Sequence, residues 1–219
     1  HPFTLAYAFA QLAMFHQYRQ DREEVRRHAE AATCVCREQG FPLWLGIGLI
    51  LQGWARATRP QPAEQLPAMH EGMAIYRATD AAMWLPYFLT LLAEIYGEAS
   101  QPDVGLRLLD EAHTIMDSTQ ERFYEAEVHR VQGALVLAQA AHQHALAETC
   151  FQHALGIARR QQARSWELRA AMSLARLWQQ HGKRAEARAL LAPVYGWFTE
   201  GFDTADLQEA RALLEALDG

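Results

Sequence analysis

The sequence predicts an all-α fold, and three observations carry that prediction: its apolar vocabulary, a repeat of about forty residues, and turn signals between the repeats. Half of the 219 residues are hydrophobic, and within that half 39 Ala and 27 Leu stand against 7 Val and 6 Ile. Ala and Leu lose little rotamer freedom in a helix, whereas the β-branched residues that favour strands are scarce. Small residues closing a helical apolar run recur at Ala13, Gly53, Ala93, Gly133 and Ala175, spaced by 40, 40, 40 and 42 residues. A second series, Ala31, Gly72, Ala112, Ala154 and Val194, falls between them, so each unit holds two helices.

The elements follow in order from this period. Helices are expected near 3–18, 22–39, 43–57, 63–78, 83–98, 102–117, 121–140, 144–161, 166–180, 184–199 and 204–217. The second helices carry apolar residues at helical spacing, as in Leu108, Leu109, Ala112, Ile115 and Met116, or Cys150, Phe151, Ala154, Ile157 and Ala158. Leu190, Leu191, Val194, Trp197 and Phe198 continue that seam. One such stripe is buried only against a neighbouring helix, so the units stack. Small side chains at the crossings let helix axes approach. Gly40-Phe41-Pro42, Arg59-Pro60-Gln61-Pro62, Ser100-Gln101-Pro102-Asp103, His181-Gly182 and Gly201-Phe202-Asp203 mark the turns, with Ser100 as a candidate N-cap. The units are about 1–41, 42–81, 82–121, 122–164 and 165–203 of a single domain 1–219, closed by an amphipathic helix over 204–217. Such a terminal helix is expected to cap the apolar end of the stack.

Composition excludes several classes. A net charge of -6 lacks the basic excess that drives bulk nucleic-acid binding. The apolar stretch from Gly40 to Ala55, broken by Pro42 and Gln52, is too short to span a bilayer. Three cysteines form no disulfide framework and suit a reducing, cytoplasmic setting. No secretory leader opens the chain, and a first residue of His1 suggests a piece of a longer protein.

A helix-turn-helix repeat with small residues at one crossing per helix resembles the tetratricopeptide repeat, of which units of 40 to 42 residues would be a long variant. Leu92, Ala93 and Tyr96, or Leu174, Ala175 and Trp178, stand at its signature positions. The stretch from Arg159 to Leu217, RRQQARSWELRAAMSLARLWQQHGKRAEARALLAPVYGWFTEGFDTADLQEARALLEAL, is similar to the end of bacterial signalling proteins. Those proteins join a class III adenylate or guanylate cyclase domain, an AAA-type or STAND ATPase domain and a tetratricopeptide tail. FYEAEVHRVQGALVLA, 123 to 138, belongs to the same pattern, and LuxR-type regulators share the layout. The resemblance implies a right-handed α-solenoid of about five long hairpins plus the capping helix. It also implies a regulatory tail that binds a partner protein, a peptide or the parent's own ATPase or cyclase domains, and it transfers no catalytic residue.

Candidate sites are few. The Gly182-Lys183 pair is followed by Arg184 and has Leu177 where a phosphate loop needs its first glycine. Cys34 and Cys36 point about 200° apart on a helix, so they cannot share a metal ion. Cys34 and Cys150 are expected in the core, with Cys36 off the seam. His142, His144 and His153 lack convergence, since His153 lies roughly 13 Å along the axis from His144. No catalytic, cofactor or metal site is therefore expected. Between Gly156 and Leu190 eight basic residues, among them Arg159, Arg160, Arg164, Arg169 and Arg176, face two acidic ones. They form either a steering patch for an acidic partner or ordinary solvated helix faces. Trp44, Trp84 and Trp166, with Trp54, Tyr87, Tyr124 and others, fall on first helices and either line a concave groove for a small ligand or plug the seams between repeats. The leading expectation is a non-catalytic interaction module, and the alternative is a small-molecule sensor. Purified chain should neither hydrolyse ATP nor form a cyclic nucleotide; turnover that co-purifies through repeated chromatography and follows this polypeptide would refute that.

Overall fold

The structure, a computed structural model, describes residues 1–57 and 60–218. Arg59 of the second turn signal lies outside the described residues. Among those described there are eleven α-helices and no strand: α1 Pro2–Tyr18, α2 Arg22–Gln39, α3 Pro42–Arg56, α4 Leu66–Arg77, α5 Leu85–Glu98, α6 Pro102–Thr119, α7 Glu125–Gln139, α8 His144–Gln161, α9 Arg164–Gln180, α10 Arg184–Tyr195 and α11 Ala205–Asp218. A single 3₁₀ turn, Pro62–Gln65, leads into α4. No helix among the described residues is long and apolar enough to cross a membrane.

Each helix packs on the next in sequence, and each odd-numbered helix also packs on the following odd-numbered one. The even-numbered helices pack on their sequence neighbours, and Arg77 of α4 reaches Glu111 of α6 at 2.7 Å. The odd helices thus form an inner row and the even helices an outer one. Small residues make the tightest crossing, where a Cβ placed on Gly46 of α3 would stand 2.8 Å from the Gly72 carbonyl oxygen of α4. Backbone there rests on backbone, which no larger side chain permits. Trp54, Tyr76, Tyr87 and Phe88 fill the space beside such crossings and are fully buried. At the far end α11 turns Leu207, Ala210, Leu213 and Leu217 inward and leaves Gln208, Glu209, Arg211 and Glu215 in solvent.

Several sequence expectations need correction. Cys34 is exposed and Cys36 is buried, the reverse of the expected order, while Cys150 is buried as expected. The reason is a register slip of one residue in the first unit. Ala32, not Ala31, is the buried partner of Gly72, which puts Cys36 level with Tyr76 and Met116. Ser100 is not a helix cap: it takes a left-handed conformation at φ 60°, and Gln101 precedes α6 instead. The tenth helix stops at Tyr195 rather than near 199, two residues after Pro193, whose missing N–H leaves the Ala189 carbonyl without its helical donor. Trp197, expected on the apolar seam, is consequently exposed.

Trp84 also lies outside its expected helix. It precedes α5 at φ 65°, a conformation costly for a bulky residue by about 1–2 kcal/mol. Its backbone N–H donates to both carboxylate oxygens of Glu121, at 3.0 and 3.1 Å. The thiols test this register directly: in native protein Cys34 should react rapidly with a thiol reagent, and Cys36 and Cys150 only on unfolding. Fast native labelling of Cys36 would show that α2 is rotated from the arrangement described.

Candidate functional site

The first-helix positions that combine charge with burial assemble one polar network along the inner row. Trp54 of α3 donates its indole N–H to Glu94 of α5 at 3.1 Å. Arg130 of α7 reaches the other Glu94 oxygen at 3.3 Å and holds Glu127 through two bonds of 2.9 and 3.0 Å. Arg169 of α9 contacts Glu127 at 3.4 Å and Asp206 of α11 at 2.8 Å. Its remaining amino group donates to the carbonyl oxygen of Tyr18, the last residue of α1. Every odd-numbered helix contributes, α7 with both Glu127 and Arg130. Beside it, the Tyr87 hydroxyl donates to Gln17 at 3.0 Å, joining α5 to α1.

The charges are deeply placed, with Glu127 1% and Arg169 5% exposed. Burial alone would raise the Glu127 pKa, but the guanidiniums of Arg130 and Arg169 outweigh it and hold the carboxyl below its ordinary range. Burial pushes the Asp206 carboxyl up against the pull of Arg169. Burial would also discharge the two arginines, and the carboxylates around them reverse that, keeping both ionised.

Because Arg169 holds the end of α1, the first turn of the chain is drawn to the start of α9, and a cleft of about 370 Å³ opens there. Its walls are Phe15 and Tyr18 from α1, Phe123 from the turn before α7, and Trp166 from the first turn of α9. Arg19, stacked over the Phe15 ring and 3.9 Å from Asp203, and Arg164, paired with Glu167, complete the lining. Trp166 meets Tyr124 edge-on, with ring centroids 5.5 Å apart, and Tyr124 in turn lies beside Tyr18 and Tyr87. The cleft therefore has a rigid aromatic floor. No side chain caps the N-terminus of α9, so its positive end adds to the two guanidiniums, while Glu167 offsets part of that charge.

The eight candidate residues do not form one surface. Arg164 and Trp166 line the cleft. Arg159 and Arg164 both bind Glu167, at 2.9 and 2.6 Å, and Arg164 also lies over the Trp197 ring. Arg169 belongs to the buried network, and Arg176 pairs with Glu209 at 2.8 Å. Arg160 sits on the outer row beside His129 and His153. The expected basic patch is thus largely neutralised within the chain. Trp44 packs in the core under the edges of Phe3 and Tyr7, and Trp84 is partly buried against the same core, so neither lines an open groove.

Sequence reasoning missed Gln17, Glu94, Glu127, Arg130 and Asp206. A signal existed, since Tyr87, Glu127 and Arg169 occupy one repeat position at spacings of 40 and 42. His144, which the sequence groups with His142 and His153, meets His181 with ring centroids 4.1 Å apart. His16, Glu24 and His28 also converge, with potential ligand atoms within 4.8 Å of one another. The two imidazoles are stacked with planes 15° apart, and Arg27 lies 3.1 Å from His28 Nε2. Nδ1 of His16 is buried without a hydrogen-bond partner, and His28 Nε2 lies 3.4 Å from the Glu24 carboxylate.

No family model matches the chain. It is 25% identical over 118 residues to an uncharacterized protein of Rhizobium meliloti (strain 1021). That match covers 54% of this chain and 12% of the relative.

A carboxyl whose pKa is lowered on folding stabilises the fold above its unfolded value, near 4.5 for Glu127, and that contribution is lost as pH falls through the folded value. Glu127→Gln should cost about 3 kcal/mol at pH 7, because two buried guanidiniums lose a counter-charge. The variant's stability should also fall less steeply below pH 4.5, as read by urea denaturation at several pH values. An unchanged stability at pH 7 would mean that the network contributes nothing net.

Proposed function

We propose that this chain is a non-catalytic interaction and regulatory module of a longer bacterial signalling ATPase or adenylate cyclase, working in the cytoplasm. In this reading it is a right-handed α-solenoid of about five tetratricopeptide-like hairpins with α11 as the capping helix. The period of 40 to 42 residues, the inner and outer helix rows and the resemblance of its C-terminal third all support that architecture. Stacked repeats generally act through their extended inner surfaces.

The observation that carries the functional reading is the aromatic cleft with two guanidiniums in its lining. A peptide segment with an apolar anchor beside acidic residues fits that chemistry: the anchor fills the cleft and its carboxylates meet Arg19 and Arg164. The segment would come from a partner protein or from the parent's own ATPase or cyclase domains. Because the cleft joins the first turn of the chain to α9, an occupant biases how closely these parts approach, and differential binding to the two arrangements is what regulation requires. A second reading, a sensor for a small metabolite, is supported by the cleft's volume, which falls within the ~300–1,000 Å³ usual for small-molecule sites.

Fluorescence anisotropy with labelled acidic and aromatic twelve-residue peptides tests the first reading. Charge reversal at Arg19 and Arg164 together should weaken binding at least about tenfold, or ~1.4 kcal/mol, while Arg107→Glu on exposed α6 should leave it unchanged. Equal loss in all variants would refute the cleft as the site. A melting-temperature rise with a metabolite and none with peptides would favour the sensor.

A further inference from the structure

The two ends of the helix stack are finished differently. Among the described residues, nine large apolar side chains are exposed, and five of them, Phe3, Leu5, Tyr7, Leu12 and Phe15, lie on α1. The seventeen residues of α1 include no Asp, Glu, Lys or Arg. A helix that is apolar on every side is normally buried on every side. The other end carries α11, whose outward face is polar.

The repeat register shows what the bare face of α1 is built to meet. Leu5, Ala8, Leu12 and Phe15 form a stripe, with Leu5 50%, Leu12 40% and Phe15 52% exposed. Ala8 moved on by one period of 40 residues is Gly48 of α3, where a Cβ would touch Thr33 and the Ala29 carbonyl of α2. After a second period the same position is Phe88 of α5, edge-on to Tyr76 of α4 at 5.1 Å. Phe15 moved on by three periods is Leu135 of α7, against Gly105 of α6. In α9 the corresponding residues Ala170, Leu174 and Leu177 are buried as well. On α3, α5, α7 and α9 the Ala8 and Phe15 positions of this seam are buried, while the Leu12 position is half-buried Gln52 in α3 and Gln132 in α7.

We propose that the stripe of α1 is the same seam, and that its occupant is the second helix of a further hairpin of this repeat, one period ahead of α1 in the parent polypeptide. The established α2/α3, α4/α5, α6/α7 and α8/α9 contacts continue into it without a change of register. The occupant presents small residues where it crosses Ala8, as α2 presents Ala29 and Thr33 to Gly48 of α3. Its outer face is polar, because the outer row faces solvent. The inference rests on the reading of this chain as part of a longer repeat protein, and Phe15, which also walls the cleft, is where the two occupants would meet.

The test uses Leu12→Cys in a Cys34→Ser background, in the 219-residue chain and in a chain lengthened by the forty or so residues that precede it in the parent. The new thiol should react rapidly in the shorter chain and at least tenfold more slowly in the longer one, which should also melt at a higher temperature. Equal labelling in both overturns the proposal, as does a parent sequence with no helical pair ahead of α1. If light scattering shows the shorter chain dimerising with the new thiol protected, the seam belongs to a second copy and the proposal also fails.

Discussion

The guanidinium of Arg169 is the constraint on which the rest of this architecture depends. Removing such an ion from water costs several kcal/mol, and the cost is offset only when every donor finds a partner. Here the partners come from α7, α11 and the end of α1, so the ion is satisfied only when all of these are in place. A stack of repeats ordinarily couples nearest neighbours alone. One buried charge couples residues 151 positions apart and gives the stack a fixed end-to-end geometry.

That geometry is what creates the cleft. The carbonyl of Tyr18 accepts from Arg169, while the phenol of the same residue forms a wall of the cleft. Tyr124, buried beneath it, connects the Tyr18 ring to that of Trp166. An occupant that pries Tyr18 from Trp166 must strain the guanidinium's bonds, and one that draws them together reinforces them. The polar network and the aromatic cleft are two sides of one joint, since Tyr18 belongs to both.

Much of the fold was legible because Ala and Leu spacing reports helix faces directly and because the turns carry Gly, Pro or Asn-like conformations at fixed intervals. The register within α2 was less so: alanines at 29, 31 and 32 satisfy a small-residue series equally well, and only burial in the folded chain separates Ala32 from half-buried Ala31. The candidate site was half visible. Arg164 and Trp166, two of the candidate residues, line the cleft, but the residues they meet there, Phe15, Tyr18 and Arg19, are some 145 residues earlier, and nothing local announces that closure. Charge was the poorest guide, since a run of arginines along the chain is spread by helical geometry over an inner network, an outer row and intrahelical pairs. Glu127 and Arg169 recur with the period at a buried position, and a charged pair there is the sign of a ladder rather than of a solvated face.

The most direct test of the account is the distance between the end of α1 and the start of α11. Spin labels at Gln20→Cys and Gln208→Cys, in a Cys34→Ser background, would report it by pulsed electron resonance. The native chain should give one short, narrow distribution, and Arg169→Leu, which keeps the bulk but removes the donors, should lengthen and broaden it while the helical content stays the same. An unchanged narrow distribution in Arg169→Leu would contradict the claim that this guanidinium holds the two ends of the stack together.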